Sequence, residues 1–191
     1  MHISARHNPF ATDRVERMLS YHPEWSGTSW QEIDQRWQAL NRRAALIGRH
    51  GSGKTTFIDA WKARLIDQGC GVTHLFLNRE TSRLSGDDWR VLEDGAGNVI
   101  ILDGEEQLNW SQRRQFYQLT QKAAGLLVTR HRLGKLPPLQ HFAPSIEVLH
   151  ACVRQLAPDC YDQLAPMFPT WWKEDHGNIR EILLRCYDQV R

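Results

Sequence analysis

Short apolar runs alternate with segments of helical periodicity through the middle of this chain. The runs RAALIG, VTHLFLN, NVIILDG and LLVTR are apolar almost throughout, which is typical of strands buried on both faces of a sheet. Between them, apolar residues recur every three or four positions and predict helices. LGKLPPLQHFAP reads as a loop with room for one short further strand. The alternation predicts an α/β fold, a three-layer sandwich with a mostly parallel five-stranded sheet.

Capping residues and glycines mark where the predicted helices begin and end. Ser29 and Glu32 form a capping box that predicts a helix over SWQEIDQRWQAL. Ser85 predicts the start of a short helix over GDDWRVLED. Two longer helices, KTTFIDAWKARLIDQG and SQRRQFYQLTQKAAG, are expected to end at Gly69 and Gly125.

The pattern changes near residue 145 and suggests three parts. Residues 1–40 are expected to form an N-terminal extension and a helix, with 1–28 irregular and polar. Residues 41–144 would form the core with the strands. Residues 145–191 would form a small helical lid, because SIEVLHACVRQLAP and NIREILLRCYDQVR read as helices around a segment rich in proline and tryptophan.

Composition and charge exclude several classes of function. The net charge of this 191-residue chain is +2, and the basic residues are scattered along it with acidic residues among them, so binding to nucleic acid stays possible but unsupported. The four cysteines form no C-x-x-C pair, and their free thiols suit a reducing cytoplasm. No apolar run reaches the roughly 18 residues of a membrane span. We expect a cytoplasmic protein without a membrane contact.

The stretch GRHGSGKTT joins a predicted strand to a predicted helix and fits the pattern G-x-x-x-x-G-K-[ST] of a phosphate-binding loop. Gly51 and Gly53 lack the Cβ atoms that would keep phosphate oxygens away from the main chain. Lys54 can reach the β- and γ-phosphates, and the hydroxyl of Thr55 suits Mg²⁺. The predicted nucleotide-binding residues of this segment are Gly48, Arg49, His50, Gly51, Ser52, Gly53, Lys54, Thr55 and Thr56.

Acidic residues follow the strand NVIILD. Asp103 ends this strand, at the sheet edge where α/β proteins bind ligands, and is predicted to hold the magnesium shell. A carboxylate near the γ-phosphate can orient a water molecule for in-line attack, and Glu105 and Glu106 are the candidates. Gly104 permits a sharp turn that would direct one of them inward. The alternative is that both glutamates are solvated charges at the start of a helix.

These motifs resemble those of the AAA+ ATPases and their relatives, the STAND signalling ATPases. GRHGSGKTT is similar to Walker A and VIILDGEEQL to Walker B, although Gly104 stands where the usual AAA+ order has glutamate. The order D-G-x-acid is similar to that of NACHT domains and implies Glu106 as the catalytic carboxylate. GLLVTRHR resembles the sensor 1 strand and implies Thr129 and Arg130 as γ-phosphate sensors. HGNIREILL resembles the start of the sensor 2 helix and implies Arg180.

The resemblance implies a P-loop NTPase that binds ATP and Mg²⁺ and hydrolyses ATP as a switch. Its output would pass to another protein or to further copies of the chain. Lys54, Glu105 and Glu106 are the predicted catalytic residues. Two other functions stay open: a small-molecule kinase, and a nucleotide-gated binding module with little turnover.

Two further assignments stay open at this point. Arg113 and Arg114 are the candidates for an arginine finger. Pro9 and Phe10, in the stretch NPF, are candidates for contacts with the base, the alternative being a turn tucked onto the core. No guanine-specific N-K-x-D occurs, so ATP is favoured over GTP.

Overall fold

A computed structural model describes residues 8–190 of the chain, which divides into two compact units. One unit, the sheet unit, consists of residues 29–49 and 58–142. The other, the helical unit, consists in its described part of residues 8–28, 50–57 and 143–190. The phosphate-loop motif therefore begins in the sheet unit and continues in the helical unit.

The sheet unit contains five strands, and every pair of neighbouring strands is parallel. They are β1 (Arg43–Gly48), β2 (Val72–Phe76), β3 (Val99–Asp103), β4 (Gly125–Arg130) and β5 (Pro138–Phe142). Their order across the sheet is β2-β3-β4-β1-β5. The predicted α/β fold and five-stranded sheet are confirmed, and β5 lies in the loop that had room for a further strand. β1, β3 and β4 are buried almost throughout, as their continuous apolar sequences require.

Nine helices lie in the described residues. They are α1 (Thr12–Met18), α2 (Trp30–Ala39), α3 (Lys54–Asp67), α4 (Gly86–Asp94), α5 (Trp110–Leu119), α6 (Ile146–Leu156), α7 (Tyr161–Leu164), α8 (Phe168–Glu174) and α9 (Ile179–Gln189). α2 has the predicted capping box, in which the Glu32 main-chain N–H donates to Ser29 Oγ and the Ser29 N–H donates to Glu32 Oε2. Ser85 forms the same kind of box with Asp88 at α4. None of these helices is long and apolar enough to cross a membrane.

Three helical segments differ from the sequence-based expectation. α1 lies in a region expected to be irregular; it spans only seven residues and buries none of them fully, so it offers few apolar positions from which a helix could be recognised. α7 and α8 lie in the segment expected to separate two helices. Its prolines occupy first-turn positions of short helical segments, where a missing N–H costs no hydrogen bond. α5 ends at Leu119, before the expected Gly125, and continues only as a short 3₁₀ turn.

Each unit has its own core. In the sheet unit, Ile100, Leu102, Leu126 and Val128 of the central strands pack with Phe116 of α5. In the helical unit, side chains of α6, α8 and α9 pack around one apolar cluster that also includes Phe10. Phe10 is 1% exposed, and the side-chain amide of Asn8, two residues earlier, donates to the Tyr187 carbonyl. Phe10 thus packs into the core of its unit. A turn packed on the core is the alternative that the sequence left open beside a contact with the base.

Gly125, at the start of β4, allows a tight junction with the end of α2 and the start of β1. A Cβ at Gly125 would lie 2.8 Å from Trp37 Cζ2 and 3.1 Å from the Arg42 carbonyl oxygen. Trp37 is itself buried, so it has little room to move aside. Replacing Gly125 would therefore overpack this corner of the core.

We expect Gly125→Ala to lower the free energy of unfolding by about 1–3 kcal/mol, the usual effect of overpacking. Gly86→Ala is the matched control, because a Cβ there meets nothing within 4 Å. Guanidinium denaturation followed by tryptophan fluorescence measures both variants. Equal midpoints for the two variants would contradict this account of the junction.

Candidate functional site

The carboxyl ends of β1, β3 and β4 lie side by side at one edge of the sheet. β4 is the middle strand of the three, since Leu102 of β3 pairs with Val128 and Ile47 of β1 pairs with Arg130. Asp103 ends β3 at this edge, and Gly48 ends β1 there before the chain enters the phosphate-loop motif. Parallel α/β sheets bind ligands at this edge.

Thr129 fixes the carboxylate of Asp103. The Thr129 hydroxyl donates to Asp103 Oδ1 at 2.6 Å and accepts from the Gly104 main-chain N–H at 2.8 Å. All three residues are buried. The single hydroxyl proton of Thr129 is therefore directed at Asp103. The sequence suggested Thr129 as a phosphate sensor. In the structure its hydroxyl orients Asp103, the residue suggested as a magnesium ligand.

Gly104 turns the chain away from β3 with a main-chain conformation that residues with a side chain rarely adopt. Its φ is +95°, and a Cβ there would overlap the main-chain carbonyl oxygen of Leu77. A 3₁₀ turn, Glu105–Gln107, follows at once. The sharp turn that the sequence predicted at Gly104 is present, and it gives the two glutamates different surroundings.

Glu105 is the centre of a buried ionic cluster. Its side chain is 0% exposed, and its Oε1 and Oε2 lie 2.9 Å from Arg113 Nε and 3.2 Å from Arg130 Nε. The Tyr117 hydroxyl also donates to Oε1, at 3.2 Å. Burial, and then the negative charge of Glu105, raise the pKa of Tyr117, so its hydroxyl stays protonated. Two guanidinium groups and one hydrogen-bond donor, the Tyr117 hydroxyl, thus compensate one buried carboxylate.

Glu106 is less enclosed and less fully paired. Its Oε1 lies 3.3 Å from His131 Nδ1, and its side chain is 26% exposed. Its Oε2 is buried and has no hydrogen-bond partner in the part of the chain that the structure describes. A carboxylate oxygen in this condition can accept a hydrogen bond from a water molecule.

Arg130, suggested as a second phosphate sensor, is held against Glu105. Gly134 packs so closely on it that a Cβ there would overlap the guanidinium group. The sequence analysis did not identify Arg113, Tyr117 and His131 as partners of the two glutamates. The spacing of Arg113 and Tyr117, four residues apart on α5, was the available signal that they share one face of a helix.

Residues 50–57 of the phosphate-loop motif belong to the helical unit. Gly51 and Gly53 have φ values of +69° and +92°, which other residues rarely adopt, and α3 begins at Lys54. Ser52 and Lys54 are buried, whereas Arg49, His50 and Thr55 are exposed and Thr56 is half-buried. Ser52 Oγ is buried without a hydrogen-bond partner within residues 8–190.

The start of α9 packs on the same loop inside the helical unit. The Asn178 side chain caps α9 by accepting from the Arg180 main-chain N–H at 3.2 Å. A Cβ at Gly51 would overlap Asn178 Oδ1 and would lie 3.4 Å from Arg180 Cβ. The structure therefore brings Arg180, the suggested sensor 2 residue, next to Gly51.

Hard oxygen donors suit Mg²⁺, and the candidate residues supply a hydroxyl at Thr55 and a carboxylate at Asp103. Within the described residues, no group of three or more His, Cys, Asp or Glu side chains could hold a metal ion by itself. Thr55, in the helical unit, and Asp103, in the sheet unit, each offer one oxygen ligand of the kind that Mg²⁺ accepts beside phosphate and water.

Comparison with known proteins supports the fold. No protein-family model and no curated protein matches the chain. Among solved structures, the ORC1 protein of Aeropyrum pernix, determined in complex with DNA, matches 92% of this chain with a TM-score of 0.58 and 15% sequence identity. The fold is that of a P-loop NTPase. The match covers 60% of the ORC1 chain. At 15% identity it supports a similar architecture only.

We expect Thr129→Val to lower the free energy of unfolding by about 1–3 kcal/mol, because it leaves a buried carboxylate and a buried N–H without their shared partner. Thr129→Ser is the matched control, since it keeps the hydroxyl. Chemical denaturation of both variants checks this. A loss for Thr129→Ser as large as that for Thr129→Val would show that the methyl group matters and the hydrogen bonds do not.

Proposed function

We propose that this chain is an ATP-binding and ATP-hydrolysing switch module of the AAA+/STAND type. The observation that carries the proposal is the phosphate loop: two glycines with positive φ, a buried Ser52 with an unpartnered hydroxyl oxygen, and Lys54 at the first position of a long helix. Main-chain N–H groups in this setting, with the positive end of a helix dipole, bind phosphate groups. The ORC1-like fold supports this reading.

In this proposal, residues 48–56 bind the phosphates and Lys54 contacts the β- and γ-phosphates. Thr55 and Asp103 are the residues that would hold Mg²⁺, which neutralises developing charge on the phosphates when bound. Thr129 keeps the Asp103 carboxylate in one orientation. The Asp103 carboxylate would therefore need little reorganisation when the nucleotide binds.

Of the two candidate glutamates, we propose Glu106 as the one that orients the attacking water. Glu105 already has two arginines and a tyrosine around its carboxylate, which leaves little room for a water molecule beside it. Neither Glu105 Oε2 nor Glu106 Oε2 has a hydrogen-bond partner within residues 8–190, but Glu105 Oε2 lies 3.2 Å from Arg130 Nε, whereas the ion pair of Glu106 is made by its other oxygen, Oε1. Glu105 then acts as a positioning residue that holds Arg113 and Arg130.

The remaining elements of the proposal concern the switch. Arg180 is proposed to contact phosphate from the first turn of α9, because its Cβ lies close to Gly51. Residues 145–191 would then act as the lid that senses the nucleotide. The output is proposed to pass to a partner protein or to another copy of the chain. A nucleotide-gated module with little turnover is the second candidate, favoured by the His131 contact that already occupies Glu106 Oε1.

Binding of Mg-ATP is the first test. We expect Lys54→Ala to abolish the heat of Mg-ATP binding in isothermal titration calorimetry, because the ammonium group compensates phosphate charge. Lys62→Ala is the matched control; Lys62 lies on the same helix and pairs with Asp59 at its surface. Equal heats for the wild type and Lys54→Ala would remove the proposed site.

Hydrolysis separates the roles of the two glutamates. We expect Glu106→Gln to lower kcat by about 10²-fold or more, with affinity for Mg-ATP and stability unchanged. Glu105→Gln should lower the free energy of unfolding by about 3 kcal/mol, because it leaves two arginines beside an uncharged group. Phosphate release and denaturation curves measure these effects. Phosphate release as fast in Glu106→Gln as in the wild type would contradict the assignment.

A further inference from the structure

The charge of the chain is unevenly distributed, although its net value is small. Residues 107–146 contain no aspartate or glutamate, so all 22 acidic residues lie elsewhere. The basic residues of this stretch are Arg113, Arg114, Lys122, Arg130, Arg132 and Lys135. A continuous segment that carries only positive charge is an electrostatic signal for an anionic partner.

Part of this charge gathers on one face of α5. Trp110, Arg113, Arg114 and Tyr117 follow the spacing i, i+3, i+4, i+7 and so share one side of the helix. The Arg114 guanidinium carbon lies 5.8 Å from the centroid of the Trp110 ring, and Lys135 Nζ lies 4.8 Å from the centroid of the Tyr117 ring. Lys135 thus brings the β4–β5 loop beside the helix. These five residues are called the α5 face.

Trp110 gives this face a second property. Its side chain is 74% exposed, the most exposed of the large apolar residues in the part of the chain described. The Arg114 guanidinium group lies over this indole, and Arg113 and Lys135 belong to the same face. A flat aromatic surface among cations can stack a nucleic-acid base while the cations attract the adjoining phosphates.

We propose that the α5 face binds single-stranded nucleic acid, a function beyond the proposed ATP site, to which it is joined by the contacts of Arg113 and Tyr117 with Glu105. The exposed indole favours a single strand over a duplex, because the bases of a duplex are already stacked on each other. The exposed indole also favours nucleic acid over an acidic protein. An acidic protein would pair with the cations of this face but would not need a stacking surface. Arg114 and Lys135 are exposed and would contact phosphates, whereas Arg113 shares its charge with Glu105.

The test uses the full chain and fluorescein-labelled oligothymidylate and oligouridylate of about 20 nucleotides, a length that spans the usual single-strand site sizes. Fluorescence anisotropy measures the dissociation constant over a range of salt concentrations. We expect Trp110→Ala to weaken binding about tenfold or more and Trp110→Phe to keep most of it. Arg114→Gln and Lys135→Gln should each reduce the slope of log K against log salt by about 0.7.

Arg90→Gln is the matched control, because Arg90 is an exposed arginine on α4, outside this face. It should leave binding unchanged. Comparison of the two labelled strands distinguishes DNA from RNA as the source of the ligand. Thermal denaturation checks that each variant is folded, and Trp110→Phe keeps the test valid should Trp110→Ala unfold.

Three results would overturn the proposal. One is an affinity for a labelled duplex equal to that for the single strands. Another is unchanged single-strand binding by Trp110→Ala. The third is competition by poly-L-glutamate as strong as that by unlabelled oligothymidylate, which would assign the face to an acidic protein surface.

Discussion

The main-chain conformation at Gly51 and Gly53 is the constraint on which the candidate site depends. Both residues have positive φ, and together they turn the chain from the end of β1 into the first turn of α3. The same turn leaves N–H groups at the start of a helix, where they have no intrahelical acceptor. It also brings Gly51 so close to Asn178 that no side chain fits between them. One local geometry thus sets both the conformation of the proposed phosphate loop and the close contact of that loop with the start of α9.

The acidic residues after β3 show how neighbouring side chains acquire different roles. Gly104 turns the chain, and the two residues after it then meet different partners. Glu105 is fully buried and compensated by Arg113, Arg130 and Tyr117, so its charge is structural. Glu106 pairs with His131 through one oxygen, and its other oxygen has no hydrogen-bond partner within the described residues. The division follows from burial and from available donors, since the two side chains are chemically identical.

Local signals in the sequence predicted much of the fold. Apolar runs predicted the strands, and the pair Ser29–Glu32 and the single residue Ser85 predicted helix starts that the structure confirms. α1 was not predicted, because it buries little, and α7 and α8 are too short to show a period. The partners of Glu105 were not predicted either. They come from α5 and β4, and which residues meet across elements depends on packing that no local pattern records.

Hydrogen exchange at the phosphate loop tests the central claim most directly, namely that main-chain N–H groups around Ser52 bind the phosphates of ATP. The account predicts that Mg-ATP slows amide exchange in residues 51–56, whereas adenosine, which has no phosphate, does not. Exchange in that segment equally fast with Mg-ATP and with adenosine, at concentrations that saturate binding, would contradict it.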